Sequence, residues 1–205
     1  NGNLLYHGCV PLKEDGNLKS VRIFGRAYKG KGLYEVLESY VRKGFYAMDP
    51  KEKERGKDIM WYIWLSENSP LFGKDKMATF ERYFLAEKET HKEKKNPYYL
   101  LLEDEKVVGK ILKEFGLENE DAHIINGHVP VKCKDGENPV KCGGKVLVID
   151  GGFSKAYQKE TGIAGYTLIY NSYGLILAAH KPFESTEAAI EKESDIHSDS
   201  TVVKR

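Results

Sequence analysis

The hydrophobic period of the chain changes just past its midpoint, and that change limits the fold more than any other feature. Before it, apolar residues recur at helical spacing. In 32–48 they fall at positions 33, 36, 37, 40, 41, 45 and 48, which predicts an amphipathic helix. Residues 51–65 predict a second helix, opened by Asp49-Pro50, with Ile59, Met60, Tyr62, Ile63 and Trp64 as a wide apolar face. Residues 76–89 predict a third, and 104–115 a fourth that Gly116 stops in the C-cap position. After the change, 122–126, 145–150, 166–171 and 174–180 are short and β-rich, separated by glycine-containing turns. Asn171-Ser172-Tyr173-Gly174 between the last two is a hairpin signal. At the start, 3–6 reads as a short buried strand and 13–20 as a loop or hairpin turn. Residues 98–103 read as a short strand or extended link, and 183–190 as a last helix before a fraying end. One strand, several helices and then a run of strands predict an α/β domain whose helices cover a mixed sheet.

Charge narrows the function classes. Lys and Arg number 32 against 31 Asp and Glu, a net charge of +1, so the basic excess of a nucleic-acid or membrane-surface protein is missing. At 40% hydrophobic and 31% charged, the chain is too apolar for wholesale disorder. No apolar run approaches the roughly 20 residues of a membrane span. Cys9, Cys133 and Cys142 are odd in number and form no C-x-x-C pair. They suit neither a disulfide framework nor a usual structural zinc site, and point to a reducing compartment, hence the cytoplasm. The chain opens on Asn1 and enters an apolar run at Leu4. The expectation is therefore a single-domain fragment over 1–205, excised from a longer polypeptide, with 184–205 a tail or the start of a following segment.

Two histidines share a setting that suits a metal ligand. His7 follows Leu4-Leu5-Tyr6 and precedes Gly8, and His128 follows Ile124-Ile125-Asn126-Gly127. Each stands at the C-terminal lip of an expected strand beside a glycine, where the strand holds the backbone and the glycine permits close approach. Either one alone is more simply an ordinary histidine at a strand end. Gly143-Gly144-Lys145 and Asp150-Gly151-Gly152-Phe153-Ser154-Lys155 could cradle an anion, although no P-loop is present and tight turns explain most such glycines. Lys76 and Arg82 near the start of the third helix oppose its dipole, a conflict that a bound phosphate would remove and that plain surface charge also explains. No G-x-S-x-G, H-E-x-x-H or G-x-G-x-x-G occurs, and the carboxylates offer no obvious acid–base pair.

Several long runs together resemble the class III bacterial fructose-1,6-bisphosphatases. They are Asn3-Leu-Leu-Tyr-His-Gly-Cys-Val-Pro-Leu12, Ser69-Pro-Leu-Phe-Gly-Lys74 with Thr79-Phe-Glu-Arg-Tyr-Phe84, and Asn126-Gly-His-Val-Pro-Val-Lys132. Gly143-Gly-Lys145, Ile149-Asp-Gly-Gly-Phe-Ser-Lys-Ala-Tyr157 and Thr161-Gly-Ile-Ala-Gly-Tyr-Thr-Leu-Ile-Tyr-Asn-Ser-Tyr-Gly174 extend the likeness over nearly the whole chain. The resemblance implies part of a calcineurin-like αββα metallophosphatase sandwich with a two-metal site, usually manganese. It implies hydrolysis of the 1-phosphate of fructose 1,6-bisphosphate to fructose 6-phosphate in gluconeogenesis. His7 and His128 match the superfamily's two later metal-binding histidines. The earlier motifs, G-D-x-x-D-R-G and G-N-H, are absent from these residues. They are expected in a missing N-terminal part of the same polypeptide, so the fragment alone is expected to be inactive. Lys76, Arg82, Lys132 and Lys155 are candidates to hold the phosphate that is not cleaved. A homo-oligomer remains open. Two other readings stand beside this one: a calcineurin-like phosphoesterase acting on phosphoprotein or nucleotide, and a non-enzymatic binding or regulatory module.

Overall fold

A computed structural model of the protein describes residues 2–191, 193 and 198–204. The chain divides into two compact units, one made of Asn1–Tyr6 and Asp121–Arg205 and the other of His7–Glu120. The path thus forms one strand, β1 (Leu4–Tyr6), leaves for the second unit, and returns.

The His7–Glu120 unit begins with a hairpin of β2 (Val21–Ile23) and β3 (Arg26–Tyr28), antiparallel with Val21 opposite Tyr28. Its turn residues Phe24 and Gly25 both have positive φ (44° and 84°), the twist that suits a two-residue hairpin. The usual Asn-Gly signal is missing, which is why this hairpin is not legible in the sequence. Helices α1 (Gly30–Tyr46) and α2 (Pro50–Leu65) follow. Asp49 caps α2 by accepting from Lys51 N, and Pro50 occupies the first turn, where no donor is needed. Leu33 and Leu37 on α1 and Ile59 and Ile63 on α2, each pair one helical turn apart, close with Val21 and Ile23 into the core of the unit. The helices meet at two glycines. A Cβ on Gly56 would lie 2.1 Å from Gly44 N, so the backbones touch with no side chain between them.

The expected third helix is much shorter than its periodicity suggests. Only α3 (Thr79–Phe84) forms, with no buried residue, and a 3-10 turn at Lys88–His91 follows. Residues 97–100 form another 3-10 turn, Pro97–Leu100, not a strand, because Asn96 Oδ1 accepts from Tyr98 N and curls the chain. Helix α4 (Glu105–Glu114) ends at Gly116 as its sequence predicts, and the structure adds an N-cap. Asp104 accepts from Lys106 N and Val107 N, and Leu117 N donates to Leu112 O across left-handed Gly116.

In the other unit the chain forms β4 (Ile124–Asn126), β5 (Val140–Lys141) and β6 (Val146–Val148). Helix α5 (Lys155–Thr161) and the hairpin β7 (Gly165–Asn171) and β8 (Gly174–His180) come next, then α6 (Thr186–Glu191) and β9 (Ser198–Lys204). One sheet has the order β1-β4-β6-β5, with β1, β4 and β6 parallel and β5 antiparallel. All three residues of β4 and of β6 are buried, as parallel strands covered on both faces require, with Asn126 the polar residue among them. β1 is the edge strand and Leu5 is exposed, so the expected buried strand is half-buried. A second sheet, β7-β8-β9, is antiparallel. β9 lies where the sequence suggests a polar tail; its alternation is too weak to announce a strand, and pairing with β8 supplies the order. Ile125, Leu147 and Leu175 form a core with Val140, Ile149, Leu168 and Val203 packed against them. The mixed α/β character, helix-rich and then sheet-rich, is as expected. No helix of the described residues is long and apolar enough to cross a membrane.

The crossing of α1 and α2 makes a direct prediction. Gly56→Ala forces the helices apart and should cost about 1–3 kcal/mol in urea unfolding. Gly109→Ala, in α4 with no atom within 4 Å of the new Cβ, should be neutral or stabilising by up to about 1 kcal/mol.

Candidate functional site

Parallel pairing puts Tyr6 opposite Asn126, so β1 and β4 end at the same level of the sheet. His7 is the residue after Tyr6, and it is exposed. The turn that follows it is held from three sides within the His7–Glu120 unit. Cys9 N donates to Pro70 O at 2.8 Å, and Tyr34 Oη donates to Cys9 O at 2.9 Å. Gly8 leaves no room for a side chain, since a Cβ there would meet Pro70 O at 2.3 Å. Further along, Leu12 N donates to Asn96 Oδ1 at 3.1 Å.

These contacts explain the run Ser69-Pro70-Leu71-Phe72-Gly73. Buried Ser69 donates from Oγ to Ile63 O at 2.6 Å and accepts from Leu71 N and Phe72 N at 3.1 and 3.3 Å. It thereby sets the loop that presents Pro70 O to Cys9. Ser69, Tyr34 and Asn96 are the residues that sequence reasoning missed here. Burial pushes the Cys9 thiol up to about 12, with a hydrogen bond to Tyr99 opposing weakly, so Cys9 is a packing residue and not a nucleophile.

His128 stands on a strained backbone. Its φ is 69°, and Val129 N donates to Gly127 O at 2.8 Å, closing a three-residue turn around it. Left-handed φ in a non-glycine residue costs about 1–3 kcal/mol and collects at functional positions. Val131 N then donates to Asp150 O at 2.8 Å, which ties the strand exit to the turn after β6.

The four basic candidates fall into two pairs. Lys132 and Lys155 belong to the Asp121–Arg205 segment, and both are exposed. Lys76 and Arg82 belong to His7–Glu120 and already have partners. Lys76 Nζ donates to Thr90 O at 2.6 Å; Arg82 lies 3.5 Å from Glu93 Oε1 and donates to His91 O at 3.4 Å. The same Glu93 carboxylate accepts from Ala78 N and pairs with Lys74 at 2.9 Å. The expected charge conflict does not arise, because Arg82 falls in the last turn of this short helix, where a cation suits the dipole, and the anion at the helix start is the chain's own Glu93. Burial works against this carboxylate, yet hydrogen bonds from Lys74 and Ala78 and the charges of Lys74 and Arg82 outweigh it and hold its pKa below the usual range. The glycine turns after β6 are packing devices as well. A Cβ on Gly151 would meet Gly165 Cα at 2.5 Å, and one on Gly152 would meet Tyr157 Cβ at 2.7 Å.

Among the described residues no group of three or more His, Cys, Asp or Glu could hold a metal ion. The sequence model of the Firmicute fructose-1,6-bisphosphatase family matches residues 1–205, and the chain belongs to that family. It is 61% identical over 204 residues to a fructose-1,6-bisphosphatase class 3 of Clostridioides difficile strain 630, covering 99% of this chain and 31% of the relative. A class 3 enzyme of Clostridium beijerinckii is 59% identical over 196 residues, 96% of this chain and 30% of the relative. One from Clostridium botulinum strain Hall is 58% identical over 204 residues, 99% and 30% respectively. The chain thus spans about 30% of the length of the curated relatives it matches. No solved structure matches it at a significant level.

Two outcomes follow from this geometry. His128→Gly should be more stable than His128→Ala by about 1 kcal/mol in urea unfolding, because glycine alone removes the left-handed strain. Glu93 has a folded pKa below its unfolded one, so its stabilisation is present above the unfolded pKa and is lost as pH falls through the folded value. The urea midpoint of Glu93→Gln should accordingly be lower than wild type at neutral pH and should fall less steeply between about pH 5 and 3.

Proposed function

We propose that the chain is part of a metal-dependent phosphatase that hydrolyses the 1-phosphate of fructose 1,6-bisphosphate, giving fructose 6-phosphate and phosphate. The observation that carries this reading is the family match across residues 1–205, backed by 58–61% identity to class 3 enzymes. The calcineurin-like αββα sandwich, manganese as the ion, a cytoplasmic setting and a gluconeogenic role belong to the same proposal. His7 and His128 are its metal ligands in this chain. Support comes from the sheet, since Tyr6 and Asn126 end adjacent parallel strands and carboxyl ends of parallel strands are the usual ligand-binding edge of such sheets. The strained φ of His128 supports it further. The other donors lie in the part of the polypeptide outside these 205 residues.

The metals, when bound, supply Lewis acidity toward the phosphoryl oxygens. The chain's own residues do the rest of what can be derived. Both imidazoles must be neutral to bind, so activity should fall at acid pH. Lys132 and Lys155 are exposed and able to take the uncleaved phosphate directly. Lys76 and Arg82 would first have to exchange Thr90 O and Glu93 for it, which makes them the weaker members of the set.

Kinetics of the full-length polypeptide test the proposal. His7→Ala and His128→Ala should each lower kcat/KM for fructose 1,6-bisphosphate about 100-fold or more, and the 205-residue chain alone should show no turnover. Wild-type rates in either variant, or a nucleotide or phosphopeptide hydrolysed in preference to the sugar bisphosphate, would sink it.

A further inference from the structure

Two helical faces of the His7–Glu120 unit hold aromatic side chains in water. α2 is apolar all round in its last turns. Ile59 and Ile63 enter the core of the unit, while Met60, Trp61, Trp64 and Leu65 face outward, Trp61 being 68% and Trp64 72% exposed. A helix that is apolar all round belongs in an interior. α3 goes further. None of its residues is buried, Tyr83 is 81% exposed, and the Phe80 and Phe84 rings stack on each other at 6.4 Å in place of any core. Its flanks Met77 and Leu85 are exposed too. Six helical residues are far too few to hold a helix on their own, since isolated helices below about 12–15 residues are marginal. Tryptophan, tyrosine and phenylalanine are the residues that gather at interface centres, and free monomers rarely leave so much aromatic surface uncovered.

We propose that these faces of α2 and α3 are the docking surface for the part of the same polypeptide that lies outside these 205 residues. The relatives point to that occupant, because the chain covers only 31% of a polypeptide it otherwise matches over 99% of its own length. A tethered segment meets the face at an effective concentration of the order of millimolar, whereas a second copy must be recruited from dilute solution. The area also fits. Intrachain domain interfaces bury about 600–1,500 Å², and aromatic side chains at about 150–250 Å² each are what such interfaces are built from. The inference stands whichever phosphate ester the protein hydrolyses.

Hydroxyl-radical footprinting read by mass spectrometry tests it, on the full-length polypeptide and on the 205-residue chain side by side. Trp61, Trp64, Phe80, Tyr83 and Phe84 should react about tenfold or more slowly in the full-length polypeptide, and dilution should leave that protection unchanged. Trp61→Asp in the full-length polypeptide should return Trp64 toward the reactivity it has in the 205-residue chain, with the unfolding midpoint of the 205-residue chain unaltered. Equal reactivity in the two polypeptides overturns the proposal, whether both are open or both are covered from within the chain. Protection that disappears on dilution also overturns it and assigns the face to a second copy. Unchanged protection of Trp64 in Trp61→Asp counts against it as well.

Discussion

The pairing of β1 with β4 is the constraint on which the rest depends. It joins residues at opposite ends of a long excursion; Asn3 Oδ1 accepts from His123 N at 3.2 Å across 120 positions. Loop-closure entropy rises slowly with length, by about 0.6 kcal/mol per doubling, so so long an excursion is tolerable. What it cannot be is loose. The excursion has its own hairpin, its own helix pair and its own core of Val21, Ile23, Leu33, Leu37, Ile59 and Ile63. A self-supporting insertion delivers its two ends to the sheet at little further cost.

Close backbone contact is a recurring device in both units. Gly8 against Pro70 O, Gly56 against Gly44, and Gly151 against Gly165 each bring main chains nearer than any side chain permits. The first of them, with the hydrogen bonds from Cys9 N and Tyr34 Oη, fixes the turn directly after His7. His128 is held differently, by a three-residue turn with unfavourable φ. One histidine thus precedes a braced turn and the other stands in a strained one.

Charge pairing tells a second story about the same chain. The net charge of +1 conceals cations whose duties differ. Lys74 and Arg82 converge on Glu93, whose carboxylate also takes the open N–H of Ala78. Lys132 and Lys155 remain exposed. Composition cannot distinguish a lysine that holds a loop together from one that is available to a phosphate.

Helix periodicity and caps were legible because they are local. Leu33 and Leu37, Ile59 and Ile63, Asp49 and Gly116 announce α1, α2 and α4 through spacing and through backbone groups that need partners near in sequence. The family was legible from long runs of shared residues. The hairpin at Phe24-Gly25, the shortness of α3, the strand at Ser198–Lys204, and the bracing roles of Tyr34, Ser69 and Asn96 were not. Several depend on a partner far along the chain, β8 for β9, Cys9 for Tyr34 and Leu12 for Asn96, whereas the hairpin at Phe24-Gly25 lacks the usual turn residues. The sequence by itself determined the long helices α1, α2 and α4, the β-rich character of the second half and the family the chain resembles, since those rest on near-neighbour physics and shared residues. Only the tertiary structure decided which cations are already paired, which aromatic faces stay in water and how the turn after His7 is held, because burial and long-range hydrogen bonds exist only once the chain has closed on itself.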